Sequence, residues 1–108
     1  VLLVGPNGSN LVLLSDAGSS FTTNTTGLTL TIADSAASVL AQGTTATSTG
    51  SYRPSGHNTG LTNRRDNFAS PAPSQASLVY PAPFGVATLA SQFNGINPNG
   101  TWSLYVMD

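Results

Sequence analysis

An all-β domain is the fold that this chain predicts, and three observations carry the expectation. Charged residues make up only 6% of the sequence, with neither Lys nor Glu, the types on which exposed helical faces usually rely. Thr-rich segments alternate between apolar and polar residues, the period of a half-buried strand. Eleven Gly and seven Pro punctuate those segments at turn-forming positions. With 108 residues there is room for one modest core, so a single domain over residues 1–108 is expected.

The elements follow in order. Residues 1–4 are an apolar run, and Gly5-Pro6-Asn7-Gly8-Ser9 carries the residue types of a chain reversal. Leu11-Val12-Leu13-Leu14 comes next, so the opening reads as a β-hairpin of two buried strands. Asp16-Ala17-Gly18 ends the second strand, and residues 19–26 read as a polar loop. The cleanest alternation spans residues 27–34, with Leu28, Leu30 and Ile32 inward and Thr29, Thr31 and Ala33 outward. Residues 35–41 suit a short helical turn capped by Asp34 or Ser35.

Residues 44–50 are low-complexity Thr, Ser and Gly, and Ser51-Tyr52-Arg53 reads as a short strand stopped by Pro54. Residues 55–75 form the longest irregular stretch, and a loop of that length in a compact domain is either functional or disordered. Residues 77–80 read as a short strand. Val86, Leu89 and Phe93 stand at helical spacing, which predicts one short helix or turn over the end of a sheet. Finally, Asn97-Pro98-Asn99-Gly100 turns the chain into residues 101–107. There Trp102, Leu104 and Val106 are expected on the core face, with Thr101, Ser103 and Tyr105 opposite. Five or six strands is fewer than a closed sandwich usually has.

Composition also excludes some roles. Three Arg against four Asp leave no basic stripe for counterion release on nucleic acid. No apolar run approaches the roughly 20 residues of a membrane span, and no basic, apolar-cored leader opens the sequence, which reads as a mature segment. The absence of Cys rules out disulfides, thiolate metal sites and cysteine nucleophiles. A Lys-free surface rich in Ser, Thr and Asn leans towards an extracellular or cell-surface location.

Several segments together resemble one family. Leu-Leu-Val-Gly-Pro-Asn-Gly at 2–8, Leu-Val-Leu-Leu-Ser-Asp-Ala-Gly at 11–18, Leu-Thr-Ile-Ala-Asp-Ser-Ala at 30–36, Gly-Ser-Tyr-Arg-Pro at 50–54 and Phe-Asn-Gly-Ile-Asn-Pro-Asn-Gly-Thr-Trp-Ser-Leu-Tyr-Val at 93–106 are similar, in order and spacing, to the bacterial version of the proprotein convertase P domain. The resemblance implies a jelly-roll-like antiparallel β-sandwich with long loops and at most one or two short helical turns. It also implies further strands before and after the present sequence. Three explanations of that shortfall stay open: a piece of a longer protein, a processed fragment, or a strand supplied by a neighbouring subunit. In each case a sheet edge needs a partner, whether an adjacent domain or another subunit.

Chemistry is sparse by comparison. His57 with Ser and Asp elsewhere permits a hydrolytic triad on paper, but nothing resembles a nucleophile elbow. Asp16, Asp34, Asp66 and Asp108 are scattered, which argues against a paired-carboxylate acid and base. Calcium binds oxygen ligands in Asp- and Asn-rich loops, and the resemblance implies Asp16 and Asp108 as candidate Ca²⁺ ligands; the competing reading has Asp16 and Asp34 capping turns. Arg64-Arg65 is a dibasic pair suited to proteolysis or to pairing with Asp66, and Asn7, Asn24 and Asn99 open glycosylation triplets. A glycan-stacking platform of Tyr52, Tyr80, Tyr105 and Trp102 is disfavoured, since Trp102 and Tyr105 oppose each other by alternation. Three functions are therefore expected in descending order. They are a non-catalytic accessory module of a secreted or surface protein, a filament subunit assembled by strand complementation, and a Ca²⁺-dependent glycan binder.

Overall fold

The opening hairpin forms because residues 5–9 close a tight reversal. In the computed structural model, which describes residues 1–19, 26–43, 48–57 and 66–107, Gly5 N donates to Ser9 O at 2.8 Å and Gly8 N to Gly5 O at 3.0 Å. Gly8 supplies the positive φ of 86° that the turn requires, and Asn7 Oδ1 accepts from Ser9 N. The flanking strands are β1 (Leu2–Val4) and β2 (Asn10–Val12), paired antiparallel with Leu3 opposite Leu11.

Short strands follow: β3 (Leu14–Ser15), β4 (Gly18–Ser19), β5 (Leu30–Ile32), β6 (Ser38–Val39), β7 (Gln42–Gly43), β8 (Gly50–Arg53) and β9 (Ser55–Gly56). A single 3₁₀ turn at Gln75–Ser77 and a five-residue helix, α1 (Leu89–Phe93), are the helical elements among the described residues. The last strand is β10 (Ser103–Tyr105). The chain is thus dominated by strands with little helix, as expected. Residues 77–80 are not a strand: Ser77 closes the 3₁₀ turn and the chain leaves it through an extended Leu78 beside β2, and residues 35–41 contain β6 rather than a helical turn.

Pairing direction departs from expectation. Only the sheet β10-β1-β2 is antiparallel; β3 with β9, β4 with β7, and β8 with both β5 and β6 pair parallel. Parallel partners need a long connection between them, and residues 14 and 55 or 30 and 50 satisfy that. Alternation along a strand encodes which face is buried, not the direction of its neighbour, so this was invisible in the pattern.

The core lies on one face of the antiparallel sheet. Tyr105, Leu2 and Val12 form one row across its three strands, and Leu2 and Val12 pack with Phe68, Leu78 and Tyr80. Val4, Ala72 and Tyr105 complete the cluster at its margin. The other face carries the row Leu104, Leu3 and Leu11; Leu11 is fully buried, with α1 packed beside β2.

That register reverses the expected orientation of the last strand. Trp102, Leu104 and Val106 lie on the face opposite the main core and are 41%, 60% and 70% exposed. Tyr105, expected outward, is half-buried against the core. Alternation defines two faces without saying which is buried, and the pairing of Tyr105 with Leu2 decides it. The second expected anchor also differs. Leu28 and Ile32 are only half-buried and Leu30 is exposed, as is Thr31, so neither face of β5 is fully covered by the described residues.

Candidate functional site

The two edges of the antiparallel sheet are treated differently. Along β2, Val12 N donates to Val79 O at 2.9 Å, while buried Asn10 donates from Nδ2 to Ser77 O and accepts at Oδ1 from Val79 N. The segment 77–79 therefore closes that edge through backbone and side chain together. At the opposite edge, β10 pairs with β1 on one side and has no strand partner on the other among the described residues.

The turn before β10 holds it in place. Asn97 Oδ1 accepts from Asn99 N at 3.0 Å, and Trp102 Nε1 donates to Pro98 O at 3.0 Å. Gly100, at φ 131°, lies where a Cβ would come within 2.8 Å of Pro6 Cβ, so the turn before β10 abuts the turn after β1. The Trp102 ring meets Phe93 of α1 at a centroid distance of 5.3 Å and lies over Gly5. Trp102 is thus fixed at one border while its exposed surface continues along the same face into Leu104 and Val106. No Asp, Glu, Lys or Arg occurs from residue 67 to residue 107. An uncharged edge with an exposed apolar face is the combination that natural sheets usually guard against with charge, proline or a bulge.

Other candidate residues fall elsewhere. His57 is half-buried: its Nε2 donates to Leu40 O at 2.8 Å and its backbone N to Ser15 O. Those bonds tie the buried Leu40 to the β3–β9 pair, a structural role that places the ring proton on Nε2. Asp16 has a positive φ of 50° and accepts from Ser15 Oγ at 3.5 Å. Its proposed calcium companion Asp108 lies outside the described residues, and no group of three acidic or histidine side chains suited to a metal occurs among those described. Arg64, Arg65 and Asn24 also lie outside them. The aromatic side chains do not gather: Tyr80 is in the core, Tyr105 borders it, and the Tyr52 ring folds over Gly50 with its hydroxyl donating to Ser48 O.

Asp34 has a role that the pattern only half disclosed. Its Oδ1 accepts from Leu89 N at 3.0 Å and its Oδ2 from Ala90 N at 2.8 Å, capping α1 rather than a local turn. No helix among the described residues is long and apolar enough to cross a membrane. No family model, curated protein or solved structure matches this chain.

Proposed function

We propose that this chain is a non-catalytic interaction module, which joins a partner polypeptide by accepting a strand at the free edge of β10. The observation that carries the reading is the contrast between the two sheet edges: 77–79 closes β2, whereas the outward backbone groups of Leu104 in β10 meet no strand among the described residues, beside the exposed side chains of Trp102, Leu104 and Val106. Strand addition supplies main-chain hydrogen bonds, and alternate side-chain positions supply selectivity. The resemblance of the segments 2–8, 11–18, 30–36, 50–54 and 93–106 to the P domain supports an accessory role in a secreted or surface protein. Assembly into a filament uses the same edge but further requires a donated strand, so the module reading asks less of the chain.

Hydrogen exchange tests the proposal. Ser103 and Tyr105 face Val4 and Leu2 with their backbone groups, so within β10 it is the Leu104 amide that points away from β1. That amide should exchange rapidly in the dilute isolated chain and slowly in the native assembly purified from its source. Equal rates in both samples would end the reading. Trp102, the only tryptophan, gives a parallel signal: its emission should shift to the blue when the edge is covered.

A further inference from the structure

We propose that the strand accepted by β10 is the β10 of a second copy of this chain, paired antiparallel about a twofold axis through Leu104. The proposal rests on the reading of β10 as a docking edge and names the occupant.

Two features of the strand favour self-pairing. The first is its pattern around Leu104. An antiparallel twin places Leu104 opposite Leu104, Trp102 opposite Val106, and Ser103 opposite Tyr105. Trp102, Leu104 and Val106 of both copies then share one face, so their exposed surfaces cover one another in a continuous stripe. Ser103 and Tyr105 extend the core face across the join. The β10-β1-β2 sheet of each copy becomes half of a six-stranded sheet.

The second feature is charge. Like charges brought together at a twofold repel, and natural edges use this to prevent self-pairing. No side chain from residue 67 to residue 107, β10 included, carries a charge. A charged partner strand finds no counter-charge on β10, whereas an identical strand meets a surface of its own neutral, apolar character.

Because the chain has no cysteine, single-cysteine variants report one position each. Leu104→Cys should form a disulfide-linked dimer on mild oxidation, since the two side chains face each other directly. Val106→Cys is the control. Val106 is more exposed than Leu104, so random collision favours it. In the antiparallel twin, however, the two Val106 positions stand about 13 Å apart along the strands, too far for a disulfide. The expected result is at least a tenfold excess of dimer for Leu104→Cys, with sedimentation of the unmodified chain giving a dimer that Leu104→Lys returns to monomer. Equal or greater linking through Val106→Cys, or a monomer at all concentrations tested, overturns the proposal. If the Leu104 amide is protected in the native assembly while Leu104→Cys does not link, the second copy fails and the docking edge stands. Loss of that protection instead removes the reading beneath both.

Discussion

Asp34 caps a helix whose first turn lies 55 and 56 positions further along the chain. A helix of five residues cannot hold itself together, because nucleation costs more than its few hydrogen bonds return. Its exposed N–H groups are met instead by three acceptors. Asp34 takes those of Leu89 and Ala90, and Thr88 Oγ1 takes that of Ser91 within a reciprocal capping box. Asp34→Ala should therefore destabilise the fold by about 1 kcal/mol, and Asp34→Asn by less, since the amide keeps one oxygen acceptor. Urea midpoints should fall in that order with an unchanged m-value. That Asp34 caps something was legible from its residue type and position. Its partner was not, because helix caps are local in the pattern and this one is made by tertiary approach.

At the level of elements, Asn10 does for β2 what nothing among the described residues does for β10. Its buried amide donates to Ser77 O at 3.2 Å and accepts from Val79 N at 3.0 Å, holding an extended segment against the sheet without a regular ladder. Asn10→Ala removes both bonds and leaves buried backbone groups unsatisfied, a loss of about 2 kcal/mol. Asn10→Asp should cost more, since it sets a carboxylate oxygen against the Ser77 carbonyl. Amide exchange at Val12 and Val79 should quicken in either variant, whereas Leu3 in the centre of the sheet should change little. Residues 77–80 resemble a strand in composition, and after the 3₁₀ turn ends at Ser77 the chain passes through an extended Leu78 to Val79, whose carbonyl accepts from Val12 N of β2. Proline follows at 81, and the Asn10 side chain takes one of the places that a ladder bond would fill.

For the whole molecule, the decisive event is the docking of β10 on β1. The pairing of Tyr105 with Leu2 assigns one face of the strand to the core and leaves Trp102, Leu104 and Val106 on the other. Thermal unfolding can test that assignment: Leu2→Ala should cost about 3 kcal/mol, as expected for a fully buried leucine. Leu104→Ala in the dilute chain should stay within about 0.5 kcal/mol of the parent, as exposed substitutions do. A large loss at Leu104 with little at Leu2 would mean that the faces are exchanged. What the sequence determined by itself is local: the Gly5–Ser9 reversal, the strand-rich character, the short helix near Phe93, the stop at Pro54 and the alternation of residues 101–107. These follow from turn chemistry and side-chain period, which act over a few residues. Only the tertiary structure decided which face of each strand is buried, that most of the short strands run parallel, and that one sheet edge is closed while β10 has no further strand beside it among the described residues. Those outcomes depend on which distant segments meet, and a period of two is the same whichever side the partner covers.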